Sequence, residues 1–148
     1  IFLFLFLLTL SSACSHNAED KKAIEGVIVR YNQLLAEGYK NLNMNPLQEV
    51  ATEEQATREY VLMAALGEER VRMLSQLKKI DFKEITFPKK HEALVKTREI
   101  WDFTHVDIKT GKKRLEEKDF VYELTYELKK EKDRWLVTKV AAEDGLKH

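Results

Sequence analysis

Ala93, Val95, Thr97, Glu99, Trp101, Phe103, His105 and Asp107 occupy every second position of one stretch. If that stretch is extended, a carboxylic acid and an imidazole fall on the same side as two aromatic rings. Burial of the acid among the rings would raise its pKa and suit it to acid–base work. Six residues of extended chain, however, hold Glu99 and His105 about 20 Å apart, too far to share a proton. His105 and Asp107 are only about 7 Å apart, but they border the polar segment Lys109-Thr110-Gly111-Lys112, where such residues are at home. The expectation is that no residue is catalytic. If a pocket exists, Tyr60, Glu99, Trp101, His105, Tyr122 and Tyr126 are the residues to line it.

Other chemistries find less support. The histidines, His16, His91, His105 and His148, are scattered and have no cysteine partners at zinc-like spacing, so no metal site is expected. The 5 glycines form neither a phosphate-binding loop nor a nucleophile elbow, and no cofactor is expected. With 25 Lys plus Arg against 25 Asp plus Glu, no net field would draw in a polyanion, which argues against nucleic acid as a partner. Lys109, Lys112, Lys113 and Arg114 are followed directly by Glu116, Glu117 and Asp119, the pattern of a solvated hairpin rather than an anion site.

The one cysteine has a context of its own. Ile1-Phe2-Leu3-Phe4-Leu5-Phe6-Leu7-Leu8-Thr9-Leu10 has the length of a signal-peptide core and falls short of the ~20 residues of a membrane-spanning helix. The run has no basic segment before it and starts on Ile, as expected of a leader that begins upstream. Ser11-Ser12-Ala13 then supplies small residues for a signal peptidase, and Cys14 follows. This stretch resembles the lipobox of bacterial lipoproteins, with Ser11 where that family usually has Leu. The resemblance implies that Cys14 is lipidated and becomes the first mature residue. A plain secretory cut at the same site would leave a free thiol instead. A lone cysteine cannot form an internal disulfide in an exported chain, which favours the lipid. At ~0.8 kcal/mol per buried CH₂, two or three acyl chains would anchor the protein firmly. Ser15, rather than Asp, after the cysteine resembles the sorting signal for the periplasmic face of the outer membrane in a Gram-negative host.

Residues 1–13 therefore read as a signal peptide, 14–20 as a flexible tether and 21–148 as one domain of sufficient size for a core. Between residues 19 and 40, Ile24, Val27, Ile28, Tyr31, Leu34, Leu35 and Tyr39 stack on one face of a helix. Pro46 opens a short piece carrying Leu47 and Val50. Thr52 and Gln55 form a capping box for a second helix, expected to run to about Lys79, with Ala56, Tyr60, Met63, Gly67, Val71, Leu74 and Leu77 facing inward. Gly67 on that stripe predicts a close contact or a bend. Beyond it the period becomes 2, predicting strands over 80–87, 91–108, 119–129 and 134–142. In the third of these, Phe120, Tyr122, Leu124, Tyr126 and Leu128 share a face. In the last, Trp135 and Val137 oppose Leu136 and Val140. Helices followed by an antiparallel meander give an α+β domain with the helices on one side of the sheet.

The stretches "TREIWDFTHVDIKTG" and "FVYELTYELKKEKDRWLVTKV" resemble the back half of an NTF2-like (cystatin-like, cone-shaped) domain, with Trp135-Leu136-Val137 as its closing strand. The resemblance spans about residues 23–142 and implies N-terminal helices on a curved sheet of about four strands enclosing a pocket. Within the group the pattern resembles non-enzymatic, membrane-associated members, among them the intermembrane-space domain of chloroplast division proteins and components of secretion machinery. It implies a lipid-anchored binding or scaffold domain with an envelope protein as partner. The alternative is a small-molecule-binding or isomerase/dehydratase-like pocket. Many such domains pair through the open sheet face, so a homodimer is implied as well.

Overall fold

The computed structural model describes the backbone of residues 12–143 and the side chains of residues 17–143. The apolar run, the side chain of Cys14, His16 and His148 lie outside the described residues. Two helices, α1 (Ser12–Asn41) and α2 (Glu53–Glu68), flank a short 3₁₀ helix, Asn45–Glu49. The strands β1 (Val71–Lys89), β2 (Glu92–Asp107), β3 (Lys113–Glu131) and β4 (Arg134–Ala142) follow. Every strand pairs antiparallel with the next in sequence, giving the order β1-β2-β3-β4. This is the expected α+β architecture of helices packed on one face of a four-stranded antiparallel sheet.

The apolar stripe of α1 determines how that helix lies on the sheet. Ile24, Ile28, Tyr31, Leu34 and Tyr39 are buried and pack with Val95, Tyr126, Leu128, Trp135 and Val137. The helix begins at Ser12, so the segment expected as a tether is helical. Its Asp20 accepts hydrogen bonds from the Trp135 indole N–H (3.0 Å) and from Lys130 Nζ (2.9 Å). Leu42, at φ 55, ends the helix, and Pro46 seeds the 3₁₀ turn. A Cβ at Gly38 would meet the sulfur of buried Met44, whose side chain would have to shift to admit it.

Thr52 caps the second helix, its hydroxyl accepting from Gln55 N at 3.4 Å, but the reciprocal half of the expected box is not formed, because Thr52 N donates to Val137 O. The helix that it opens stops at Glu68 rather than near Lys79, and Arg70 turns the chain at φ 60. Gly67 has open space where a close contact was expected, and Tyr60 is 54% exposed rather than inward. The register explains the difference. Val71, Met73, Ser75 and Leu77 alternate on the face that also carries Trp101, Phe103, His105 and Asp107. Shifts between Leu77 and Lys79 and between Phe82 and Glu84 then bring Ile80, Phe82 and Ile85 onto it. Each bulge inserts one residue, so the inner apolar spacing of two becomes three from Leu77 to Ile80 and from Phe82 to Ile85.

A bulge also corrects the last strand. Leu128 pairs with Val137 while Tyr126 pairs with Val140, so Thr138 is looped out and Val140 joins Trp135 and Val137 on the inner face. The outer edge of β4 is closed by the preceding loop, where Thr52 N donates to Val137 O (3.0 Å) and Val137 N to Val50 O (2.8 Å). The outer edge of β1 has no partner strand among the described residues.

The turn between β2 and β3 is organised by Asp107, whose Oδ1 accepts from the backbone N–H groups of Lys109 and Thr110, both at 2.9 Å. Its Oδ2 takes Arg114 Nη2 at 2.6 Å, and Gly111 supplies φ 68. Led by the Thr110 N–H, these donors hold the Asp107 carboxyl at about 2. A depressed folded-state pKa gives stability that is present above the unfolded value of ~3.8 and lost as pH falls through about 2. Thermal unfolding from pH 5 to pH 2 is expected to show this loss, and Asp107→Asn to flatten that part of the profile. An unchanged profile in the variant would mean that the turn does not need the charge.

Candidate functional site

Between α1, α2 and the concave face of the sheet lies a cleft of about 220 Å³. Its walls are largely apolar: Leu35 from α1, Leu62 from α2, Met73 from β1, Leu124 from β3 and Val140 from β4. The rings meet both face to face and face to edge. Trp101 stacks on Phe103 at 5.9 Å and 11°, and Tyr122 meets Phe103 edge-on at 6.0 Å and 84°. A larger open depression of about 700 Å³ lies over Glu53, Glu54, Thr57, Arg58, Val61 and Leu62, but it is formed by one face of α2 alone.

Glu99 lies in the floor and is wholly buried. Its Oε1 accepts from Tyr126 OH (2.7 Å), Thr97 Oγ1 (3.0 Å) and Asn32 Nδ2 (3.3 Å), and its Oε2 from Trp101 Nε1 (2.8 Å). Asn32 also hydrogen-bonds the Tyr126 hydroxyl at 3.2 Å, which closes a ring across α1, β2 and β3. No cation takes part. Burial, and then the charge of Glu99, push the Tyr126 hydroxyl well above its usual pKa, so it stays a donor.

A second carboxylate enters from α2. Glu59 Oε1 accepts from Tyr31 OH (3.1 Å) and Gln55 Nε2 (3.0 Å), and Oε2 from Tyr39 OH (3.2 Å). Gln55 Nε2 also reaches the Tyr31 hydroxyl at 2.9 Å, and Gln55 Oε1 is buried with no hydrogen-bond partner. Burial raises the pKa of Glu59, opposed by hydrogen bonds from Tyr31 and Tyr39. Burial first, and the charge of Glu59 second, raise Tyr31 and Tyr39. Tyr31 packs edge-on against Tyr126 at 6.0 Å and 88°, joining the two networks.

Of the residues singled out in the sequence, Glu99, Trp101, Tyr122 and Tyr126 line the cleft. Tyr60 does not, because it faces solvent on the far side of α2. His105 does not, because it pairs with Met73 and Leu115 further along the strand, beyond the bulge at Asp102 and Asp119. Asn32 and Glu59 escaped the sequence reading, while Tyr31 and Tyr39 were read only as packing positions of α1 and Gln55 only as part of a cap. A signal for some of them was present: Asn32 lies four residues after Ile28 on an apolar stripe, and Gln55 and Glu59 are themselves four apart, beside Ala56 and Met63. Among the described residues no group of His, Cys, Asp and Glu could hold a metal ion, and no helix is long and apolar enough to cross a membrane.

No protein-family model and no curated protein matches the chain. Solved structures do. The intermembrane-space region of the chloroplast protein ARC6 superposes with a TM-score of 0.68 at 14% identity, over 82% of this chain and 94% of that one. A periplasmic fragment of TraM gives 0.56 at 7% identity, over 80% and 96%. A structure from Catenulispora acidiphila gives 0.53 at 10% identity, over 84% and 95%. At these identities the likeness is one of fold.

Proposed function

We propose that this is an exported protein, lipid-anchored through Cys14 in the cell envelope, whose domain is a non-catalytic binding or scaffold module that engages an envelope partner through its cleft. The observation that carries this reading is the cleft itself. At about 220 Å³ it lies below the ~300–1,000 Å³ of a drug-sized ligand pocket, so it suits one side chain or head group rather than a ring-system substrate. Its floor is built to hold rather than to turn over. Glu99 is ringed by four donors, and no histidine lines the cleft to relay a proton. Val61 and Leu62 on α2 are 59% and 57% exposed, and Leu62 also lines the cleft, so a partner would find apolar surface at its mouth.

The exported setting is supported by the apolar run before Ser11-Ser12-Ala13-Cys14. It is also supported by the shared fold of two domains described as an intermembrane-space region and a periplasmic fragment. In a Gram-negative host, the position of Ser15 favours the periplasmic face of the outer membrane. Helix α1 rises ~1.5 Å per residue, so Asp20, where α1 is tied to the sheet, would lie ~9 Å from the acylated cysteine. Such a short span would hold the domain close to the bilayer.

The test is in-cell crosslinking of the full-length protein beside Cys14→Ala, followed by membrane fractionation and mass spectrometry. The wild-type protein is expected in the membrane fraction, with acyl chains on Cys14 and specific envelope proteins crosslinked to it. The variant is expected to be soluble and to lose those partners. Identical fractionation of the two forms would overturn the anchor.

A further inference from the structure

The chain as a whole is neutral, with 25 basic and 25 acidic residues, yet the cleft is not. Its lining contains Glu59 and Glu99 and no Lys, Arg or His. Polar groups on the lining are otherwise hydroxyls, one amide and the indole N–H of Trp101. Each carboxylate also retains an under-used oxygen among the described residues: Glu99 Oε2 accepts only from Trp101, and Glu59 Oε2 only from Tyr39. Two carboxylates in an apolar, partly desolvated recess without a counter-ion create a strong negative potential, which an entering positive charge relieves. The surrounding surfaces have the same preference, since the faces of Trp, Tyr and Phe rings attract cations, and most of all cations stripped of water. Trp101, Phe103 and Tyr122 form a corner of such rings on the same floor.

We propose that the cleft takes a small organic cation, an alkylammonium group, with half-buried Glu59 as its counter-ion and the rings of Trp101, Phe103 and Tyr122 as its walls. This rests on the reading of the cleft as the binding site. Glu99, wholly buried beneath, contributes charge rather than contact. The same chemistry is offered by a free quaternary or primary amine and by a lysine side chain of a protein partner.

The test uses full-length protein in an uncharged detergent, with ¹⁵N-labelled tryptophan. The indole resonance of Trp101 reports on the cleft, and that of Trp135, which does not line it, serves as an internal control. Choline is titrated beside 3,3-dimethyl-1-butanol, which has its shape without the charge. Blocked lysine is titrated beside blocked norleucine. The expected result is a saturable shift of Trp101 alone, with at least about tenfold tighter binding of the cation than of its neutral counterpart, the order of a desolvated cation–ring contact. The tighter of choline and lysine identifies the source. Glu59→Gln is expected to reduce the preference to about threefold or less, while Glu53→Gln, exposed on the same helix, keeps it.

Equal binding of cation and neutral isostere, or a preference that survives Glu59→Gln, would overturn the proposal and leave the cleft as a binding site of another kind. No shift of Trp101 with any probe would overturn the binding-site reading with it. Should Glu59→Gln fail to fold, the comparison of charged and neutral probes on the wild-type protein still decides.

Discussion

Glu99→Ala is expected to lower the unfolding free energy by about 3–5 kcal/mol, measured by urea denaturation at neutral pH. The carboxylate is the common acceptor of four buried donors, on Tyr126, Thr97, Asn32 and Trp101. Each donor left without an acceptor costs about 1–3 kcal/mol, and water entering the vacated space recovers only part of that. Glu99→Gln is expected to cost about 1–3 kcal/mol. Its amide retains one acceptor oxygen but sets an N–H against another donor, whichever way it is turned. The ordering matters more than either value. If alanine were tolerated as well as glutamine, Glu99 would not be holding α1 to the sheet, and a chemical role for it would have to be reopened.

The second large effect is expected far from the cleft. Trp135 is 4% exposed, packs against Phe87 with ring centroids 6.1 Å apart, and has Lys130 Nζ 5.7 Å from its ring centre. Trp135→Ala should cost about 3–5 kcal/mol through the cavity it leaves. Trp135→Phe retains most of the packing and loses the indole N–H to Asp20, so about 1 kcal/mol is expected. Amide hydrogen exchange adds a local readout, since the first turns of α1 should exchange faster in Trp135→Phe and in Asp20→Asn alike. A double-mutant cycle showing that these two substitutions add independently would refute the contact as the clasp of α1.

These two sites also show what could be read in the chain. The stripe of α1 and the alternation of β2 and β3 are continuous periodic signals, and Glu99, Trp101, Tyr122 and Tyr126, read from the two strands, line the cleft. Two things failed. Val71, Leu74 and Leu77 are spaced as on a helix, but β1 runs there in unbroken register with β2, so Leu74 lies on the outer face and Val71, Met73, Ser75 and Leu77 form the inner set. In the last strand the failure was counting across a bulge, since Thr138 reversed the expected side of Val140. A bulge is one residue long and is determined by pairing with a neighbour, so local pattern cannot reveal it. The part of the site carried by β2 and β3 was legible and the part carried by the helices was not. Asn32 meets Glu99 across 67 positions of chain and Tyr126 across 94. Such partners are specified by how the helix lies on the sheet.

The open edge of β1 remains to be considered in a crowded setting. A 19-residue strand without an outer neighbour is a template on which another chain could polymerise. This one is irregular: its register with β2 shifts three times, Lys78, Lys79, Lys83 and Lys89 punctuate it, and Pro88 offers no N–H near its end. An incoming strand would meet a broken ladder and charged side chains, several already ion-paired, that it would have to desolvate. The bulges that curve the sheet around the cleft thus also discourage fibril growth, and self-association of many copies on one surface would have to use the sheet face or the helices.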